Sequence, residues 1–133
     1  MSTHRQKLGG WGENLAAEFL AANGYRVLER NARTPFGEID IVACQEGSLP
    51  CDLARPAPLT VFVEVKTRAT RTFGFPEESI TARKRQHMLS AAQSYMQAHP
   101  DLGGDWRIDV IAIEGRPSRT SPTIVHFENA LHD

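Results

Sequence analysis

The sequence predicts a mixed-sheet α/β domain, a central five-stranded sheet flanked by helices in the chain order αβββαββ. Two observations predict it. The runs Ile39-Asp40-Ile41-Val42-Ala43 and Val61-Phe62-Val63-Glu64-Val65 have the length and β-branched content of buried strands. A long stretch of helical spacing separates the third predicted strand from the fourth, and such a connection suits a sheet that is not purely antiparallel. At 133 residues the chain fits one compact domain with a core of its own.

The elements follow in order. Leu8 to about Asn23 reads as a helix, with Ala-rich filling, apolar residues Trp11, Leu15, Phe19 and Leu20, and a stop at Asn23-Gly24. Tyr25 to Arg30 is a first strand. Thr34-Pro35-Phe36-Gly37 is a turn and Glu38 to Ala43 a second strand, which makes an antiparallel hairpin. Residues 45–58, with Gly47, Ser48, Pro50, Pro56 and Pro58, read as an irregular extended connection. Thr60 to Thr67 is the third strand, too apolar for a sheet edge. After a loop over 70–79 containing Phe73-Gly74-Phe75-Pro76, Thr81 to Ala98 is the second helix, closed by His99-Pro100. Trp106 to Glu114 is a fourth strand with Ile108, Val110 and Ala112 on one face, and Thr123 to Phe127 a short fifth. Residues 1–7 and 128–133 are expected to be flexible.

Composition narrows the function classes. The chain is 41% apolar and 23% charged, as in ordinary soluble domains, and no apolar run approaches a membrane span. The N-terminus lacks the apolar stretch of a signal peptide, so a cytoplasmic protein is expected. Cys44 and Cys51 form no C-x-x-C pair; Cys44 reads as a small buried hydrophobe and Cys51 as a loop residue. A net charge of −1 excludes a globally basic nucleic-acid coat. It does not exclude a local one, because from Lys66 to Arg85 six cations (Lys66, Arg68, Arg71, Arg83, Lys84, Arg85) face only Glu77 and Glu78. The bland alternative is a solvated surface.

The chemistry concentrates on the two buried-looking strands. Alternation puts Glu38 and Asp40 on one face, and Glu64 and Lys66 on one face. Burying such charges is costly unless they are paired or hold a metal. Asp40 and Glu64 suit Mg²⁺, which takes one or two carboxylates plus waters and phosphate oxygens, and the Val65 carbonyl lies close enough along the chain to add an oxygen. Lys66 would orient an attacking water, help deprotonate it, or neutralise transition-state charge. The competing reading is a cross-strand salt bridge. Glu13, in line with Ala16, Ala17 and Leu20, either reaches the cluster or favours the positive end of its helix. Lys84 and Arg85 sit in the unfavourable first turn of a helix, which suits phosphate contact or plain solvation. Arg33 either contacts a phosphate or caps the hairpin. Arg107 and Asp109 read as an internal ion pair. The five histidines show no metal-ligand spacing.

Taken together, Gly12-Glu13, Asn31-x-Arg33, Gly37-Glu38-Ile39-Asp40-Ile41-Val42-Ala43, Val61 to Arg68, Phe73-Gly74, Lys84 and Arg107-Ile108-Asp109-Val110 closely resemble the YraN-like family of uncharacterised bacterial proteins. That family is assigned to the restriction-endonuclease-like superfamily with the PD-(D/E)xK signature. The resemblance runs from Gly12 to about Ile113 and implies a single nuclease-like domain over 1–133. It implies that Asp40 is the metal-binding aspartate, Glu64 the second acid and Lys66 the lysine. Glu13 resembles the helix-one glutamate of the Holliday-junction-resolvase-like branch. One departure is Ile39, where the signature has proline; proline is not a ligand.

The expected function is a Mg²⁺- or Mn²⁺-dependent endonuclease hydrolysing DNA, directed by structure or by an end. Asp40, Glu64, Lys66 and Glu13 would be catalytic, Asp40, Glu64 and Val65 metal-binding, and Arg33, Arg68, Arg71, Lys84 and Arg85 nucleic-acid-binding. A homodimer is expected by analogy with resolvases. The alternative is a non-catalytic nucleic-acid-binding module or assembly partner that retains the fold.

Overall fold

A computed structural model describes residues 4–45, 59–68, 80–102, 104–117 and 121–131. The element order is α1 (His4–Ala22), β1 (Tyr25–Thr34), β2 (Gly37–Gln45), β3 (Leu59–Arg68), α2 (Ala82–Ala98), β4 (Trp106–Glu114) and β5 (Thr123–Leu131), with a 3₁₀ turn at Pro100–Leu102. One sheet holds all five strands in the order β1-β2-β3-β4-β5. Every neighbouring pair is antiparallel except β3 with β4, which the α2 crossover makes parallel. The architecture is therefore α/β with a mixed sheet and two helices, and β3 is central as its apolar run required.

Alternation along the strands divides the core. Val61 and Val63 pack with Ala16 and Leu20 of α1, together with Ile41, Ile111 and Ile113. Phe62 packs with Leu89, Ala92 and Tyr95 of α2, together with Val42, Ile108 and Val110. Helices thus cover both faces, the arrangement that lets a central strand be apolar throughout. Among the described residues no helix is long and apolar enough to cross a membrane.

The helix limits have local causes. After α1, Gly24 takes the left-handed conformation (φ 88°), and Asn23 Nδ2 donates to Phe19 O at 2.7 Å. Thr81 caps α2, its Oγ1 accepting from Lys84 N at 3.1 Å.

Several expectations are corrected. α1 begins at His4, so the residues expected to be flexible up to 7 are helical from there. β1 does not end at Arg30; it pairs on through Ala32–Ile39, Arg33–Glu38 and Thr34–Gly37. β5 continues past Phe127 to Leu131, which is 2% exposed and pairs with Ile108, so 128–131 form a strand end anchored on β4 and not a loose tail. Strict alternation also fails at Asp40. Ile39 packs with the α2 cluster while Ile41 packs with the α1 cluster, although they are two residues apart. Opposite this point Asn31 has φ 53°, which interrupts the regular pairing; Glu38 and Asp40 nonetheless line one cavity. The irregular connection expected at 45–58 is corrected at its first residue, since Gln45 still pairs with Leu59 in the sheet; 46–58 and the loop expected at 70–79, with Cys51 and Arg71, lie outside the described residues.

Candidate metal-binding and nucleic-acid site

Strands β2 and β3 pair from Gln45–Leu59 to Ile41–Val63. Asp40 and Glu64 are the next residues on each strand, where the ladder gives way. There Val65 N–H donates to Asp40 Oδ2 at 2.8 Å, so a carboxylate takes the place of a backbone acceptor. Asp40 is half-buried and Glu64 is buried. Val65 is thus brought to the site, but through its N–H.

Both carboxyls are held above their ordinary ranges. For Asp40 burial is the main cause, opposed by the Val65 hydrogen bond and by the charges of Lys84 and Lys66. For Glu64 burial again leads, followed by the negative charge of Asp40, and Lys84 and Lys66 oppose it. Lys66 therefore exerts its charge on both acids, as its position two residues after Glu64 predicted. Lys84 Nζ lies 3.7 Å from Glu64 Oε1, which supplies the reason for a cation in the first turn of α2.

Glu13 comes to the same end of the sheet from α1. Its carboxyl is also raised, by burial first and then by Asp40, while Arg30 and Asn31 pull it down. Arg30 Nη2 lies 3.7 Å from Glu13 Oε1. With the amide of Asn31 turned nitrogen-inward, that nitrogen is 3.2 Å from Glu13 Oε1 and 3.1 Å from Glu38 Oε1. Gly12 explains how α1 comes so close: a methyl group there would run into the Thr67 side chain of β3. The adjacency Gly12-Glu13 therefore has a mechanical meaning, since the residue that permits contact precedes the acid it delivers.

The predicted cations divide. Lys66 and Lys84 act on the acidic pair. Arg33 is 90% exposed on the hairpin, 3.9 Å from Glu38. Arg85 is exposed on α2, and Arg68 ends β3, its carbonyl accepting from Gly115 N at 2.9 Å. Arg71 lies outside the described residues.

No three His, Cys, Asp or Glu side chains among the described residues stand close enough to enclose an ion by themselves. Two desolvated carboxylates, with the charge of Asp40 raising Glu64 and lysines close by, are still a donor set suited to Mg²⁺. That ion completes its shell with water and phosphate oxygens and does not need a protein cage.

Sequence reasoning missed three contributors. Asn31 links Glu13 to Glu38; the detectable signal was an Asn, one of the few residues that accept a positive φ, inside a strand. Arg30 pairs with Glu13, and an exposed strand cation gives no such sign. The third is a cavity of about 160 Å³ beside Asp40 and Glu64, bounded by Phe36, Phe62, His87, Met88 and Ala91. Cavities form between elements and leave no pattern in a sequence.

At the other side of β4 lies a second acidic residue. Asp109, fully buried, accepts from Arg107 Nε at 2.9 Å and Nη2 at 3.2 Å, lies 2.7 Å from His126 Nε2, and accepts from Asn129 N at 2.8 Å. The predicted internal Arg107–Asp109 pair is present, and Tyr25 Oη accepts from Arg107 Nη2 at 2.8 Å. The conformation of Asn129 (φ 50°) and a register shift between Ile108 and Val110 carry that backbone N–H inward.

A family model for the uncharacterised protein family UPF0102 matches residues 12–113, a span containing both carboxylate sites. A UPF0102 protein of Roseiflexus castenholzii is 42% identical over 135 aligned residues, covering 100% of this chain and 99% of its own. One from Dehalococcoides mccartyi is 37% identical over 131 residues, covering 98% of each chain. One from Moorella thermoacetica is 42% identical over 113 residues, covering 85% of each. The chain belongs to the uncharacterised protein family UPF0102.

Proposed function

We propose that this protein is a metal-dependent nuclease acting on DNA, with the restriction-endonuclease-like organisation that its motifs resemble. The observation that carries the reading is the Asp40–Glu64 pair. Two partly desolvated carboxylates, both raised chiefly by burial and Glu64 further by Asp40, stand where β2 and β3 part, and one of them is fixed by a backbone N–H. Carboxylates left in that state are costly to the metal-free fold and become favourable beside a divalent cation.

In this reading Asp40 and Glu64 hold Mg²⁺ or Mn²⁺, and Val65 N–H keeps Asp40 oriented. The bound ion would supply charge for the phosphate oxygens and acidity for the attacking water. Lys66 orients that water and stabilises charge that develops on the phosphate. Glu13, tied by Arg30 and Asn31, extends the acidic cluster. Lys84, Arg33, Arg68 and Arg85 position the backbone of the DNA, and Arg71 is assigned to the same group from the sequence alone. Cleavage of two strands would follow from a homodimer.

A second reading draws on the Lys84–Glu64 ion pair: a lysine already neutralising Glu64 suits a binding module that needs no metal. Calorimetric titration of Mn²⁺ into wild type and Asp40→Ala, followed by a cleavage panel of junction, flap, single-stranded and duplex DNA, separates the two. The nuclease reading expects saturable binding, lost in Asp40→Ala, and cleavage of at least one substrate. Absence of metal binding by the wild type with DNA present would defeat it, and metal binding without cleavage would leave the binding module.

A further inference from the structure

The cavity next to the acidic pair has walls of two kinds. Its floor is apolar, with Phe62 2% exposed and Ile108 1% exposed, and Met88 and Ala91 of α2 close one side. Its other side carries the carboxylates Glu38, Asp40 and Glu64, with Lys84 and His87 opposite on α2. Phe36 also lines it and is 50% exposed, so it stands at the rim.

Phe36 is held there by its turn. Thr34 Oγ1 accepts from Phe36 N at 3.1 Å and donates to Gly37 O at 2.7 Å, while Gly37 takes φ 131°. A tight hairpin tip ordinarily carries polar residues, and nothing in its hydrogen bonding calls for an aromatic ring. The only other large hydrophobic side chain comparably exposed among the described residues is Val125, on β5. The exposed ring therefore borders the same cavity that the acidic pair lines.

We propose that this cavity takes a single unpaired nucleobase, stacked on Phe36, of the nucleotide whose phosphate lies at Asp40 and Glu64. The proposal rests on the nuclease reading and narrows its substrate to DNA with an unpaired base at the point of attack. Three properties select a base. The volume of about 160 Å³ is below that of pockets for drug-sized ligands and suits one flat ring system. Every base has a π face to lie on an aromatic side chain, and exocyclic amine or ring N–H groups to meet carboxylates. The phosphate goes to the metal held by Asp40 and Glu64 and to the flanking cations, which leaves the base edge to face Glu38. Arg33 and Lys84, 90% and 46% exposed, flank the hairpin and α2 sides for the neighbouring phosphates. A base inside a duplex would first have to be extruded at the cost of its pairing and stacking, so unpaired ends, flaps or loops are favoured.

The test is the binding of the full chain to fluorescent oligonucleotides in Ca²⁺ and in metal-free buffer. The probes are a single strand, a duplex of the same length, and a duplex with a single-stranded tail. Phe36→Ala is expected to weaken binding to the single strand and the tailed duplex by about tenfold, the effect of losing one base–aromatic stack, and to change blunt-duplex binding little. Phe36→Trp should restore the wild-type affinity, and 2-aminopurine in the tail should be quenched by wild type and not by Phe36→Ala. Equal losses on all three DNAs, no loss on any, or full rescue by Phe36→Leu would overturn the proposal. Mn²⁺ titration of Phe36→Ala should match wild type, which excludes a misfolded site as the cause. This pattern without any cleavage keeps the base pocket and removes the nuclease; cleavage without this pattern does the reverse.

Discussion

Asp109 and the Asp40–Glu64 pair are wholly or partly buried carboxylates of the same sheet, and their surroundings push them in opposite directions. Burial alone would raise Asp109, but the hydrogen bonds from His126, Arg107 and the Asn129 N–H outweigh it and hold the carboxyl below its ordinary value. At Asp40 and Glu64 burial wins, because the described residues supply one backbone donor and lysines against two like charges. A folding domain has little use for the second arrangement, while a divalent cation does. The first is how the same protein treats a carboxylate that serves structure.

The contrast can be broken by removing each acid. Asp109→Ala would take from the partly buried Arg107 its main ion-pair partner, leaving Tyr25 and Glu128, and would leave the Asn129 N–H without an acceptor; it is expected to cost about 3–5 kcal/mol in urea denaturation at pH 7. Asp40→Asn should do the opposite in metal-free buffer and raise the unfolding midpoint, since it removes a desolvated charge without emptying the core. If both variants destabilise equally, the two sites are of one kind.

Lys66→Ala tests the difference on activity. Loss of one positioned charge at the reacting phosphate is expected to slow cleavage by about 10²–10³-fold while Mn²⁺ binding persists in calorimetry. Retained cleavage would take Lys66 out of the mechanism.

Gly12→Ala probes the approach of α1 that brings Glu13 to the site. The added methyl must displace Thr67, next to Lys66 on β3, and should cost about 1–3 kcal/mol in thermal or urea unfolding. Metal affinity should fall with it if Glu13 belongs to the cluster; unchanged affinity would confine Glu13 to the helix end.

The smallest and sharpest effect lies in pH. Asp40 and Glu64 are raised, so the metal-free protein binds their protons more tightly when folded. Their favourable contribution is present below their ordinary values of 3.8 and 4.5 and is lost as pH rises through the higher folded values. Asp109 is lowered: its contribution is present above 3.8 and is lost as pH falls through the lower folded value. Unfolding midpoints followed against pH should therefore show a falling limb on the upper side that Glu64→Gln flattens and saturating Mg²⁺ abolishes. The limb on the acid side should be insensitive to both.

Much of this was legible in the sequence, for identifiable reasons. β-branched runs and turn residues located every strand, and Asn23-Gly24 and Thr81 marked where helices stop and start, because those signals are local. The acids of the site were visible because charge inside an apolar strand is an energetic anomaly that one line of sequence displays. Where the reading failed, a distant partner had intervened. β5 extends to Leu131 because β4 and the Asp109 network hold its backbone, and the parity of β2 fails at Asp40 opposite the left-handed Asn31.

By itself the sequence determined the α/β class, the element order and which carboxylates are anomalous, since composition, periodicity and turn chemistry are properties of neighbours along the chain. The sequence already paired Asp109 with Arg107; only the tertiary structure added His126 and the Asn129 N–H to that acid and left the other two wanting. It alone set Gly12 against Thr67, Lys84 against Glu64 and Phe36 beside a cavity. Desolvation and pairing depend on what other segments bring to a point in space, and no local pattern carries that information.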